Sequence, residues 1–232
     1  MIANGATYRP LYKTIVLRIG KIVGTMLLAS CLLVLVFRWV TVPVSSLMMQ
    51  RWLAAHSSGA TGFKLRYQWV GLEKIAPHAG RAVMAAEDQR FLHHFGFDFQ
   101  AMTRAWQDNP HRDRPRGAST ITQQVAKNLF LWPGRSWLRK GLEAYFTLLL
   151  EVLWPKQRIL EVYLNVAEFG PDIFGIQAAS SAFFHKPAAR LTANEAALLA
   201  AVLPNPRQFN AASPSAYVKG RAQWIERQAR NL

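Results

Sequence analysis

Two acidic residues follow a run of small and apolar side chains in the first half of the chain. Residues 82–86 have the composition of a buried helix, and Glu87 and Asp88 come directly after them. Desolvation raises the pKa of a carboxyl group at the mouth of an apolar helix, which is one way that proteins make a general acid or base. The alternative is an acid at a helix end that pairs with Arg90 and takes no part in chemistry.

A third acid, Glu143, follows two bases at helical spacing. Arg139 is four positions before it and Lys140 three, so a helix places the three side chains on one face. The plain interpretation is a surface salt bridge worth a few tenths of a kcal/mol. The apolar residues around Glu143 instead predict a partly buried carboxylate held charged by two bases, and such bases are suited to clamp a leaving diphosphate. Two separated carboxylates in one cleft, Glu87 and Glu143, resemble the paired acids of enzymes that act on glycosidic bonds.

A row of amides and one base lies between these acids. Thr120 and Gln123 form a capping box that predicts a helix to about residue 131. On this helix Lys127 is four positions after Gln123, with Gln124 and Asn128 beside them. Amides that end in an ammonium group suit a sugar-phosphate ligand, and the alternative is a solvated helix face.

Helices are the elements that must position these residues. Residues 67–70 are predicted to be a short extended piece, and residues 109–116 a polar, basic loop. The further helices are predicted over about 137–154, 156–169 and 193–203, followed by a last one opened by Ser213 and Pro214. No run of alternating strands is present, so the fold class is mainly α.

Four motifs follow one another along the chain. They are E-D-Q-R-F-L-H-H-F-G at 87–96, G-A-S-T-I-T-Q-Q at 117–124, R-K-G-L-E at 139–143 and I-L-E-V-Y-L-N at 159–165. In this order they resemble the motif series of glycosyltransferase family 51, the peptidoglycan glycosyltransferases, over roughly residues 65–210. The resemblance implies a lysozyme-like, mainly α domain with a larger and a smaller lobe around a cleft.

The resemblance also implies an activity and residue roles. The reaction would be polymerisation of lipid II into glycan strands, with inversion at the anomeric centre and release of undecaprenyl diphosphate. Glu87 would be the general base that deprotonates the acceptor 4-hydroxyl, and Glu143 would position the bases that bind the diphosphate, or a divalent cation such as Mg²⁺. No organic cofactor and no metal-ligating residue are expected. The positions implied for substrate binding are Asp88, Phe91, His94, Ser119, Thr120, Gln123, Gln124, Lys127, Asn128, Arg135, Arg139 and Lys140.

The N-terminal residues have the composition of a membrane anchor. The first 40 residues carry five bases and no acid, and residues 22–37 are uncharged. With Trp39 the apolar stretch reaches residue 42, which gives the roughly twenty residues that a membrane span needs. A cleaved signal peptide is the alternative, but no small-x-small cleavage site follows the apolar core.

These features predict a protein of the bacterial inner membrane with four segments. They are a cytoplasmic basic tail at 1–21, a transmembrane anchor at 22–42, a membrane-proximal connection at 43–65 and a periplasmic glycosyltransferase domain at 66–232. The expected partners are lipid II, the growing glycan strand, membrane lipid and other cell-wall synthesis or division proteins. The chain contains neither S-x-x-K nor K-T-G, so peptide cross-linking is not expected.

Two other classes of protein stay open from the sequence. A membrane-anchored, lysozyme-like hydrolase would also use an acid in a helical domain, but it does not need Lys127, Arg135 and Lys140 around a leaving group. A nucleic-acid-binding or scaffold protein would use the basic surface, because the residues after the first 40 carry 23 bases against 13 acids. Glu87 and Glu143 have no role in that second class, and nucleic acid is not an expected partner.

Overall fold

The computed structural model describes residues 11–59, 62–108, 117–134 and 136–232. Two compact units make up the chain: an N-terminal unit that ends at Val40, and a second unit, Thr41–Leu232. Most described residues are helical, which confirms the mainly α prediction. The division of the catalytic domain into two lobes stays a prediction, and the expected loop at 109–116 lies outside the described residues.

The N-terminal unit contains a single long helix, α1, over Leu11–Phe37. Within the described part of the chain, this is the helix long and apolar enough to cross a membrane, with 26 residues at Tyr12–Phe37 and a mean hydropathy of 2.3. The helix begins and ends earlier than the expected anchor at 22–42. The early start is possible because the residues after Leu11 include no Pro until Pro43, so the backbone stays helical through the basic positions that precede the apolar core.

Helices also dominate the second unit. They are α2 (Ser46–Ser57), α3 (Pro77–Glu87), α4 (Phe99–Asp108), α5 (Ile121–Phe130), α6 (Trp137–Leu153), α7 (Lys156–Val166), α8 (Ile176–Phe184), α9 (Ala193–Val202) and α10 (Ala216–Ala229). The two predicted capping boxes are present, at Thr120 for α5 and at Thr192 for α9. The expected connection at 43–65 contains helix α2, which begins after Ser45 because that side chain caps the backbone N–H of Met48.

A small sheet interrupts the helices. It consists of β1 (Arg66–Tyr67), β3 (Ile173–Phe174) and β2 (Glu168–Gly170) in that spatial order, with β1 parallel and β2 antiparallel to β3. The predicted helix over 156–169 was therefore wrong at its C-terminal end, where α7 stops at Val166. The chain has to reverse there: Gly175 has a φ of 80°, and a Cβ on it would lie 2.5 Å from the carbonyl oxygen of Asn165. Only glycine tolerates this approach, and hydrophobic periodicity does not reveal it.

The packing of the second unit brings two groups of helices together. Helices α9 and α10 pack on α3, and α5 packs on α6 and α7. The buried face of α9 consists largely of small residues, with Ala197, Ala200 and Ala201 all fully buried. Helices α3 and α10 can therefore approach α9 closely. As a result, the C-terminal end of α3 faces both the start of α5 and the side of α10.

Candidate active site

The candidate site begins where α3 ends. Glu87 is the last residue of this helix, and the backbone turns away at Asp88. The Asp88 carboxylate accepts hydrogen bonds from the backbone N–H of Ile121, at 3.0 Å, and from Nε2 of His94, at 2.9 Å. The N-terminus of a helix stabilises an anion, so the hydrogen bond from Ile121 holds the end of α3 against the start of α5. These bonds give Asp88 and His94 a positioning role inside the domain, and Asp88 also lines the cavity that contains Glu87, so their contact with substrate stays a prediction.

The loop after Glu87 is packed against α6 and α7. The Phe91 ring is 1% exposed and lies 4.5 Å below the ammonium group of Lys156, so it has no open face for substrate. Gly96 has a φ of 79°, and a Cβ on it would meet Thr147 Cγ2 at 2.7 Å. The glycine of the first motif is therefore required by the close approach of α6.

The start of α5 is tied to the same loop. Thr120 Oγ1 donates to the carbonyl oxygen of Gly96 at 2.6 Å, and the Gln123 side chain accepts from the backbone N–H of Thr120 at 3.0 Å. Both predicted substrate-binding residues are thus buried and occupied by these bonds. Ser119, one position earlier, is exposed beside them.

Glu87 is held by a chain of hydrogen bonds from α5 and α7. Gln124 Nε2 donates to Glu87 Oε2 at 2.9 Å, and the Tyr163 hydroxyl donates to Gln124 Oε1 at 3.1 Å. A carboxylate can only accept, so this arrangement fixes which end of the Gln124 amide faces Glu87. Burial, reinforced by the negative charges of Glu87 and Asp88, raises the pKa of Tyr163 well above its usual value, so its hydroxyl stays a donor.

The surroundings of Glu87 suit a general base. Desolvation raises the pKa of its carboxyl group, as the sequence predicted, and the negative charge of Asp88 adds to this. The Gln124 hydrogen bond and the positive charges of Arg221 and Lys127 act in the opposite direction, without cancelling the rise. A carboxyl pKa moved towards neutral pH makes proton abstraction more favourable.

The second carboxylate, Glu143, is buried between two bases. It is 3% exposed, with Lys140 Nζ bonded to Oε1 and Arg139 Nη1 3.3 Å from Oε2. This confirms the predicted buried acid with two bases, in place of an ordinary surface pair. Arg135, which the sequence groups with these bases, lies outside the described residues.

Lys127 connects the two carboxylates electrostatically. Lys127 lies on the exposed face of α5, and its side chain lines a groove that Arg139 of α6 also lines. Desolvation by the surrounding protein lowers the pKa of its ammonium group, and the positive charges of Arg139 and Lys140 lower it further. The negative charges of Glu143 and Glu87 act in the opposite direction, which places both acids within electrostatic reach of this one cation.

Two cavities flank this row of side chains. The first, of about 390 Å³, combines cationic, amide and apolar side chains. Its lining residues are Lys127, Asn128 and Arg139, the α2 residues Leu47, Gln50, Arg51 and Ala54, and residues 131–134. The second, of about 180 Å³, is polar and contains the candidate base. Its lining includes Glu87, Arg90, Asp98, Arg104, Ser119, Thr120 and Trp224. An anionic group with an apolar chain suits the first cavity, and a sugar hydroxyl suits the second.

The carboxylates of the described residues form no preassembled metal site. The described residues contain no cluster of three or more His, Cys, Asp or Glu side chains close enough to hold one. Both oxygens of Glu143 already face cationic side chains. This arrangement supports a role for Glu143 in positioning Arg139 and Lys140, and a divalent cation at this site stays a prediction.

Two residues of the site were not identified from the sequence. Tyr163 lies in the fourth motif, but its residue type and position predicted no role, although a buried tyrosine hydroxyl needs a partner. Arg221 Nη2 lies 3.6 Å from Glu87 Oε1, and it belongs to no motif of the series. Only the fold brings these residues to α3.

Comparison with known proteins agrees with the motif series. The family model described as "Transglycosylase" matches residues 56–230. A biosynthetic peptidoglycan transglycosylase from Xanthomonas campestris pv. campestris (strain B100) is 57% identical over 204 residues, which cover 88% of this chain and 83% of that protein. Proteins with the same name from Klebsiella oxytoca and Cronobacter sakazakii (strain ATCC BAA-894) are 56% and 54% identical, over 86% of this chain and 83% of each relative. The chain therefore belongs to the transglycosylase family.

Proposed function

We propose that this protein is a peptidoglycan glycosyltransferase that polymerises lipid II into glycan strands and releases undecaprenyl diphosphate. The observation that carries the proposal is the geometry of α5, which binds Glu87 through Gln124 and lines the cationic cavity with Lys127. Arg139 lines the same cavity and is paired with Glu143. A candidate base and a set of cations for a leaving group are thereby arranged along one groove. The family relationship supports the same activity.

The geometry divides the reaction between the two cavities. The acceptor sugar 4-hydroxyl lies in the polar cavity, where Glu87 takes its proton. The freed oxygen attacks the anomeric carbon of the donor from the face opposite the diphosphate, so the new glycosidic bond forms as the carbon–diphosphate bond breaks, with inversion. Lys127, Arg139 and Lys140 stabilise the negative charge that develops on the leaving diphosphate, because preorganised cations act most strongly where charge appears.

The cationic cavity favours transfer over hydrolysis. A glycan hydrolase releases a sugar hydroxyl, which needs a proton donor but no cationic clamp. Here Arg139 and Lys140 are both held by Glu143, and Lys127 lies beside them. The apolar residues Leu47, Leu131 and Trp132 in the same cavity suit the first isoprene units next to a diphosphate.

The proposed location follows from α1. The apolar helix anchors the chain in the bacterial inner membrane, with the N-terminus in the cytoplasm and the second unit in the periplasm, where lipid II is presented. Lipid II, the growing strand and membrane lipid are then the partners of the enzyme.

A direct assay tests the activity. The purified full chain in detergent is incubated with lipid II, and the products are separated by size, with Glu87→Gln as the matched variant. We expect glycan polymer from the parent and a loss of at least about 100-fold in Glu87→Gln, the scale of general-base loss. Cleavage of finished glycan with no consumption of lipid II would instead favour the hydrolase.

A further inference from the structure

Helix α10 brings a cation to the end of α3. Arg221 Nη2 lies 3.6 Å from Glu87 Oε1 and 3.4 Å from the carbonyl oxygen of Ala86. The guanidinium group is therefore held against the last turn of α3, where the partial negative charge of the helix end favours it. The side chains of Arg221 and Glu87 are 24% and 16% exposed, so water screens their interaction only in part.

The two oxygens of Glu87 are divided between neutral and charged partners. Oε2 accepts from the Gln124 amide, whereas Oε1 faces Arg221. Among the described residues, Glu87 is the acid that pairs with Arg221, and the buried Nε of Arg221 has no hydrogen-bond partner. No second described acid neutralises this cation, so its field acts on Glu87.

The other charges around Glu87 come from several elements. Asp88 follows it in the chain, Lys127 lies on α5, and the buried hydroxyl of Tyr163 comes from α7. The polar cavity adds Arg90, Asp98 and Arg104. Two acids on the packed helices have partners of their own. Glu195 on α9 binds Lys186, Glu226 on α10 binds Arg230, and the latter two line a separate cavity with His78 and Arg81.

We propose that Arg221 is a positioning residue that keeps the Glu87 carboxylate ionised and turned towards the acceptor hydroxyl. The inference rests on the proposed function, because it assigns Glu87 as the base. Desolvation alone would hold this carboxyl group protonated to higher pH, and a protonated carboxyl group cannot accept the hydroxyl proton. Trp224, one turn further along α10, lines the cavity that contains Glu87, so the same helix both shapes the acceptor site and sets the charge of its base.

The pH dependence of polymerisation is the first test. An opposite charge within about 4–6 Å lowers a carboxyl pKa, so Arg221→Gln should raise that of Glu87, by about one unit. Because the ionised form is the base, the acidic limb of kcat/KM against pH should move to higher pH by the same amount. Activity on that limb should fall about tenfold, whereas the alkaline plateau should stay within about twofold of the parent. Arg221→Lys keeps the charge and should move the limb by less.

A second measurement does not depend on activity. The full chain in detergent, labelled with ¹³C at the glutamate side-chain carboxyl, contains eight glutamates, and the signal missing from Glu87→Gln identifies Glu87. Titration of that signal gives its pKa directly in the parent and in Arg221→Gln. If the parent makes no polymer, the proposed function fails, and this titration still decides whether Arg221 controls Glu87.

Controls separate charge from structure. Arg230→Gln removes an exposed cation from the same helix, paired with Glu226, and should move neither the pH profile nor the Glu87 titration. A thermal melt of each variant reports folding, and Arg221→Met, which also removes the charge but keeps a long side chain, replaces Arg221→Gln if the latter is unfolded. A loss of activity equal at all pH values, with the Glu87 titration unchanged, would overturn the proposal and leave Arg221 as a packing residue.

Discussion

At the scale of single residues, the site depends on how each partner restricts Glu87. The acid is exposed enough to reach a substrate, and yet a neutral amide, a cation and a buried hydroxyl set its charge and direction. The Gln124 amide is symmetric in shape, so only its partners decide which end faces the carboxylate. The Glu87 carboxylate decides it because it can only accept, and the Tyr163 hydroxyl then donates to the other end of the amide.

Replacing Tyr163 should therefore affect the chemical step more than binding. Tyr163→Phe removes the donor to Gln124 Oε1, so the amide is less firmly positioned and its bond to Glu87 weakens. The net value of such a bond is about 0.5–1.5 kcal/mol, so kcat should fall about two- to twelvefold while KM changes little. Initial rates of lipid II polymerisation give both constants. Tyr217→Phe, at an exposed tyrosine on α10, is the matched control. An unchanged kcat in a folded Tyr163→Phe protein would remove Tyr163 from the site.

The cations beside Glu143 make a separate prediction. Lys140 is half-exposed, so water screens its pairing, and its loss should cost the low end of a charge-assisted bond to diphosphate. We expect Lys140→Ala to lower the polymerisation rate about tenfold. Lys140→Arg should recover part of the rate because it keeps the positive charge, but not all of it because the planar guanidinium group differs in geometry from an ammonium group.

Rates measured against lipid II concentration, with a thermal melt for folding, check this prediction. Lys74→Ala removes an exposed lysine from another part of the chain and should keep full activity. If Lys140→Ala polymerises like the parent, Lys140 serves only as a helix partner of Glu143.

At the scale of secondary-structure elements, the site depends on how helix ends are joined. Asp88 joins the end of α3 to the start of α5, and the carbonyl of Gly96 joins the intervening loop to Thr120. At the other end of α5, Ser46 Oγ and Gln50 Nε2 of α2 donate to the carbonyl oxygen of Leu131, at 2.7 and 2.6 Å. Both ends of the helix that carries Gln124 and Lys127 are thereby held.

Gly96 is a position where this packing leaves no room for a side chain. Gly96→Ala places a Cβ 2.7 Å from Thr147 Cγ2 at a φ of 79°, so both contact and backbone become strained. We expect a loss of about 1–3 kcal/mol in the free energy of unfolding, and a fall in Tm of at least about 2 °C. Differential scanning calorimetry of the full chain in detergent measures it.

The control is a glycine with free space around it. Gly141 lies inside α6, and a Cβ on it would meet no atom within 4 Å. Gly141→Ala should be neutral or stabilising by up to about 1 kcal/mol, because alanine favours a helix. Equal melting temperatures for the two variants would mean that α6 does not constrain the loop.

Local signals in the sequence predicted some of these elements and not others. The capping boxes at Thr120 and Thr192 are defined by residues three apart, so the starts of α5 and α9 were readable directly. The end of α7 was not, because it depends on the approach of Gly175 to Asn165. Tyr163 was missed because its partner Gln124 is 39 positions away, a contact that depends on the packing of α5 on α7.

At the scale of the whole molecule, the chain combines a membrane helix with a mainly α catalytic unit. Four ordered motifs were enough to predict the activity class and the pair of acids, because the residues with catalytic side chains lie within these motifs and can be recognised from their order along the chain. Arg221 could not be found in that way, since it lies outside those motifs and reaches Glu87 only through the packing of α10 on α3.

The orientation in the membrane is a prediction at this scale. Arg9, Lys13, Arg18 and Lys21 precede the apolar core and should keep the N-terminus in the cytoplasm. A C-terminal fusion to a reporter that is active only in the periplasm should then be active, and a fusion to a reporter active only in the cytoplasm should be silent. The reverse pattern would separate the enzyme from externally presented lipid II.

The distance along the chain between Glu87 and its cation affects when the enzyme becomes competent. The contact between Ala86 and Arg221 spans 135 positions, and α10 follows every other helix described. At about 5–20 residues per second, synthesis delivers α10 roughly ten seconds after α3. A chain exported as it is made would carry Glu87 without the positive charge of Arg221 until α10 arrives. Full polymerase activity would then be reached only after the last helix has been synthesised and has packed on α3.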